Sequence, residues 1–307
     1  MHSLIAVLLL QFSPSVFWPY FNGVVLILLG LFATRAEVSR ARGLDKIVAL
    51  GRVCYAAPLA VFAGEHFASS QALMQMVPGY MPIRLFWVYF VGTCLVAASL
   101  SIVLNIQVQW SGILLGIMFI LFVLMLSVPA DVSNPARSRF QWILTVREPS
   151  FSCGAFALAA TSIASSRPRF SHALVALARI WISLVVIFYG VEHFLHPANV
   201  PVIPLPMLMP AWIPAHAVIA YLTGAALVAA GATMVFSKIN ARRAATYLGV
   251  YILLIIALVY LPIMIASASA ADVGVKIEGL NYFFDTLFFG GAVLALANAL
   301  PKDAPNA

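Results

Sequence analysis

Short charged loops cut this chain into apolar runs of about 20 residues, the length at which an α-helix crosses the hydrocarbon core of a bilayer. In lipid every backbone N–H and C=O must find its partner within the chain, so such continuous runs fold as helices packed on one another. Of 307 residues, 63% are hydrophobic and 9% charged, too few charges to cover a water-soluble domain of this size. The expected fold is all-α: a polytopic transmembrane helical protein embedded in a lipid bilayer.

The net charge of +7 follows membrane topology and excludes nucleic acid as a partner. Arg35, Arg40, Arg42 and Lys46 follow the first apolar run. Arg167 and Arg169 lie midway, Lys238, Arg242 and Arg243 later, and Lys302 after the last run. One threading puts all of these on the cytoplasmic side, with the N-terminus outside and the C-terminus inside, as in a bacterial inner membrane. Arg84, Arg137, Arg139, Arg147 and Lys276 then fall at or near the outer side. Ser3–Leu10 is apolar but lacks a basic leader, so Met1–Ser13 reads as a lead-in to the first span and not as a signal peptide.

The sequence also repeats itself. Arg52 stands thirteen residues before Glu65-His66-Phe67, and Arg179 thirteen before Glu192-His193-Phe194. The register shifts by five residues in the following loop, and Pro78, Pro82, Tyr89 and Gly92 then meet Pro210, Pro214, Tyr221 and Gly224. Further on, Gly116 and Pro129 meet Gly249 and Pro262, and Glu148 meets Asp285. The first unit has expected spans at 44–67, 84–104, 110–128 and 147–165, and the second at 172–195, 215–236, 244–266 and 281–300. With a lead helix at 16–34, about nine spans result. Residues 1–43 hold the lead helix and its basic loop, 44–166 the first four-helix repeat and 167–307 the second. An even number of spans per copy makes the two parallel. Gly112 and Gly116, like Ala245 and Gly249, are spaced for a close helix crossing. Pro129 and Pro262 are expected to end or kink the third helices.

Ionisable residues inside apolar runs are costly and mark candidate sites. Glu65, His66, Glu192 and His193 form the repeated pair, and Glu148 and Asp285 a second acidic pair six residues before Gly-Ala. The histidines, or Arg84, are the expected partners of that second pair, giving an acid–histidine network toward the outer face. Arg52 and Arg179 lie about 20 Å below the glutamates along their helices and suit lipid phosphate or a helix C-terminus. The uncharged, proline-rich stretch 195–215 reads as a plain interfacial loop ahead of a rigid lid lying on the bundle, with Met207, Met209 and Trp212 at the interface. No metal site is expected, and Cys54, Cys94 and Cys153 are isolated thiols.

The pattern Arg-x12-Glu-His-Phe, a proline-rich loop, Tyr-x-x-Gly, then an acid before Gly-Ala resembles the DoxX-like family of four-helix membrane proteins, here as a tandem duplication. Gly64 and Gly190, His66 and His193, Pro82 and Pro214, and Glu148 and Asp285 carry the resemblance over residues 44–300. It implies the fold and a link to redox and sulfur metabolism, with quinone as cofactor and membrane or electron-transfer proteins as partners. The glutamate before each histidine departs from the family pattern. Three readings stay open at this point: a redox-linked, quinone-interacting subunit, a small-molecule or ion transporter with its site between the repeats, and a non-catalytic assembly or lipid-binding module. The sequence assigns no catalytic step to any residue.

Overall fold

The computed structural model describes residues 13–133 and 139–302. The lead-in before Ser13 and Arg137 lie outside the described residues. Ten helices form the described chain: α1 Pro14–Arg40, α2 Asp45–Ala68, α3 Ser70–Met74, α4 Arg84–Leu104, α5 Val108–Ser133, α6 Arg139–Ile163, α7 Pro168–Leu195, α8 His216–Phe236, α9 Ala241–Ala268 and α10 Val273–Ala299. Eight of them, all but α3 and α6, are long and apolar enough to cross a membrane. The chain is an integral membrane helical protein.

The expected nine spans therefore become eight by length and composition, with α6 set apart. It is longer than the apolar run 147–165, starting at Arg139, and carries Arg139, Arg147 and Glu148 in its first turns. Helix α6 is shielded by its neighbours over much of its length: every residue from Pro149 to Ala160 is buried. Helix α10 is likewise buried along most of its length and packed against α2, α6 and α9. Around this central pair, α7 lies against α6 and α8, α5 against α6, and α4 against α2, with α1 outside α2.

Small residues allow the central approach. A Cβ on Gly154 would stand 2.6 Å from the Tyr55 ring, and one on Gly291 would strike the backbone nitrogen of Tyr55. Only glycine permits three helices to meet there. Tyr55, Phe151 and Phe288 fill the middle of the bundle, the two phenyl rings stacked at 4.1 Å, and the Tyr55 hydroxyl donates to the Phe151 carbonyl at 2.6 Å.

Several local features occur twice along the chain. Helices α5 and α9 each widen into a π-turn, at Val123–Ser127 and Ile256–Tyr260, shortly before Pro129 and Pro262. The prolines do not end these helices. A proline has no N–H for the carbonyl four residues back, and the wider turn absorbs the mismatch. At Pro129 the freed Met125 carbonyl accepts from the Tyr80 hydroxyl at 3.4 Å. Helices α4 and α8 each begin after a left-handed residue, Ile83 and Ala215. Phe67 stacks on Tyr89 and Phe194 on Tyr221, both at 6.1 Å.

The proline-rich segment after α7 departs from both the expected interfacial loop and the lid. Val200 N–H donates to Met207 O and Met209 N–H to Ala198 O, making a narrow hairpin whose tip enters the bundle. All residues from Val200 to Leu205 are buried, whereas Trp212 stays exposed. With no charge and several prolines, this tip loses little on leaving water. Its backbone polar groups are met from the helices: the Tyr260 hydroxyl donates to Pro201 O at 2.7 Å.

Candidate functional site

The two central helices bring charges to one level at the end of the bundle holding both Glu-His-Phe segments. Arg147 on α6 pairs with Asp285 on α10 at 2.5 Å, with side chains 9% and 18% exposed. The guanidinium also lies over the Phe151 ring, 5.2 Å from its centroid. Tyr189 on α7 stands beside this pair and near Tyr260. Next to Arg147, Glu148 turns to α5 and accepts from the Ser127 hydroxyl at 2.6 Å. One turn earlier, the Thr145 hydroxyl donates to Asp131. A π-turn offers a polar side chain an inward direction that a regular helix would not, and Ser127 uses it.

The repeated Glu-His pairs have different surroundings. Glu192 forms an ion pair with Arg139 of α6, with His196 Nε2 4.0 Å away. His193 is held at both ring nitrogens: Nδ1 is 2.6 Å from Tyr189 O, and Nε2 accepts from the Val202 N–H at 3.0 Å. The second bond fixes the tautomer, with the proton on Nδ1, and ties the hairpin tip to α7. Glu65 instead faces the side chain of Asn281 and the charge of Asp285. His66 places Nδ1 2.7 Å from Phe62 O, its own helix four residues back.

The acid–histidine network expected from the sequence does not form. A histidine near a helix end finds its own i−4 carbonyl at no cost in chain entropy, and both histidines take it. The acidic pair is served by Arg147 and Ser127, and the two acids of the repeated pairs do not meet each other. Arg147, Arg139, Asn281, Tyr189 and Ser127 escaped sequence reasoning as site residues. The signal for Arg147 was present: an arginine beside Glu148 inside a run otherwise fit to span.

Seven buried polar side-chain atoms near this level lack a partner among the described residues: Glu65 Oε1, Asn281 Oδ1, Arg147 Nε, Arg139 Nη2, Tyr189 OH, Ser150 Oγ and Ser152 Oγ. Buried polar atoms are normally satisfied, so ordered water or a bound group is expected among them. Alongside it, Pro14, Trp18, Asn22, Gly64, Phe67 and Ala68 line a cleft of about 430 Å³ between α1 and α2. No three His, Cys, Asp or Glu side chains converge to hold a metal ion among the described residues.

Arg52 and Arg179 sit at the opposite, basic end. Arg52 pairs with Glu37 of α1 at 3.0 Å, and Arg179 donates to Val235 O in the last turn of α8 at 3.1 Å. Comparison with protein-family models, curated proteins and solved structures finds no match for this chain.

Proposed function

We propose that the chain is two DoxX-like four-helix units fused in parallel, and that it acts as a redox-linked, quinone-interacting membrane subunit. The repeated π-turns, left-handed helix starts and Phe–Tyr stacks support the duplication, each pair falling at matching positions of the two units. The basic clusters at one end support a cytoplasmic C-terminus in a bacterial inner membrane.

One observation carries the functional reading: the Arg147–Asp285 pair joins α6 to α10 inside the bundle, and Glu65 stands beside Asp285 with a partnerless oxygen. Two carboxyl groups, Asp285 and Glu148, face the Arg147 guanidinium, and a third, Glu65, lies near Asp285. Charge balance in a low-dielectric site then calls for protons shared among the acids. Such a network can load and release protons. Reduction of a quinone takes up a proton for each electron, and the electrons would come from a partner protein. The cleft between α1 and α2 is of ligand size, carries Trp18 and Phe67 for ring contact, and is bounded by Gly64, next to Glu65.

Native mass spectrometry of the gently extracted protein tests this, comparing wild type with Glu65→Gln and Trp18→Ala. A quinone retained by wild type and lost from both variants is the expected result. Ordinary phospholipid alone in all three forms would remove the quinone from the reading. A transporter is the second reading, because the polar network lies between the two units. Proteoliposomes would then acidify or alkalinise after a pH step in an Asp285-dependent manner with no quinone present.

A further inference from the structure

At the basic end a second cleft of about 430 Å³ opens among α1, α2, α6, α9 and α10. Its walls bring together three cations distant in sequence: Arg52 on α2, Arg242 at the start of α9, and Lys302 just after α10. Two carboxylates steady them. Glu37 holds Arg52 at 3.0 Å, and Asp45 takes Arg242 at 2.8 Å and Lys302 at 3.6 Å. One positive charge remains in excess on these five residues. The Nε atoms of both arginines are buried and have no hydrogen-bond partner among the described residues. Asn105, Asn298, Thr161 and Ser162 add neutral polar groups to the wall.

We propose that this cleft binds a small phosphate-bearing anion, a lipid headgroup or a free phosphate ester, between Arg52, Arg242 and Lys302. Guanidinium groups match phosphate oxygens with paired N–H donors. The volume exceeds that of a bare phosphate and leaves room for an organic portion of glycerol size. Val48, Ile102, Leu158 and Ala295 form the apolar floor against which that portion would rest. Asp45 competes with the anion for two of the three cations, so it sets the affinity. Nothing in this assignment depends on the quinone reading, which concerns the other end of the bundle.

The test is calorimetric titration of the full chain, in a phosphate-free sugar detergent, with inorganic phosphate and with glycerol 3-phosphate. Native mass spectrometry of co-purified lipid runs in parallel. Lys302→Gln should weaken binding several-fold without changing the unfolding midpoint, because that side chain is 76% exposed. Arg242→Gln should cost about tenfold, the loss of one charge-assisted hydrogen bond. Asp45→Asn should tighten binding, an outcome that mere misfolding cannot produce. Titratable binding with this pattern identifies a soluble phosphate ester as the source. No titration, but an anionic lipid kept by wild type and lost from Arg242→Gln, identifies a headgroup. If neither phosphate nor glycerol 3-phosphate binds and the retained lipids match in all variants, the proposal is overturned.

Discussion

Glu65-His66-Phe67 and Glu192-His193-Phe194 are the same letters in the same order near the ends of two apolar helices, yet one is fastened and the other is not. Glu192 has Arg139 and, at 4.0 Å, His196. His193 is bonded at both nitrogens. Glu65 has an uncharged amide and a like charge for neighbours, and one oxygen with no partner. The Phe–Tyr stacks beside them are nearly identical, so the helices themselves are not the cause. The cause is what enters from outside the motif. A five-residue-longer loop lets the tip at Val200–Leu205 reach His193, and Arg139 reaches Glu192 from α6. The fastened copy reads as architecture, and the loose copy as the place where chemistry is left open.

The largest effect should come from unfastening the second copy. Arg139→Leu leaves Glu192 buried with only a distant histidine, and a stranded buried charge is expensive. Because Arg139 is 32% exposed, the expected loss is about 2 kcal/mol, below the usual range for a fully buried pair. Steric-trapping or SDS unfolding measures it. Arg139→Leu combined with Glu192→Leu should recover most of the loss. If the single and double variants are equally unstable, the ion pair is not what fastens this copy.

Next in size, His193→Ala removes two hydrogen bonds and strands the Val202 N–H, for about 1–2 kcal/mol. His66→Ala removes one and should cost about half as much. Limited proteolysis separates the two: cleavage between residues 198 and 209 should appear in His193→Ala alone. Of the same size as the His66 loss is the contrast between Ser127 and Tyr260, which end the two π-turns. Tyr260→Phe should cost about 1 kcal/mol by releasing Pro201 O, and Ser127→Ala about the same by releasing Glu148. Only the tyrosine variant should expose the hairpin to protease.

These contrasts show how far the sequence could be read. The helices were legible because about 20 apolar residues in lipid have almost no alternative. The candidate acids were legible because charges within such runs are rare. Their partners were not. Which side chain meets Asp285 depends on the rotation of α6 against α10, set by the close contact of Gly154 and Gly291 with Tyr55. In the sequence Arg147 stands at the edge of an apolar run, where it reads as a topology marker; in the structure α6 spans Arg139–Ile163, which places Arg147 inside the helix as a site residue. The depth of the hairpin is hidden in the sequence for a related reason. Prolines and the absence of charge describe a stiff apolar loop equally well on a bundle or inside it, and Tyr260 and His193 decide between the two.

The smallest expected change in stability is also the most direct test of the comparison. Glu65→Gln should alter the unfolding free energy by no more than about 0.5 kcal/mol, since it breaks no ion pair. The same carboxyl should nonetheless be the reactive one. An apolar carbodiimide that partitions into the bilayer attacks carboxyl groups able to donate a proton, and Glu192, engaged by a guanidinium, is a poor target. Labelling followed by peptide mass spectrometry should find the adduct on Glu65 and spare Glu192. Arg139→Leu should then make Glu192 reactive as well, converting the fastened copy into a second loose one. Equal labelling of both glutamates in the wild type would mean that Arg139 does not set them apart, and the distinction between architecture and chemistry would have to rest on the hairpin alone.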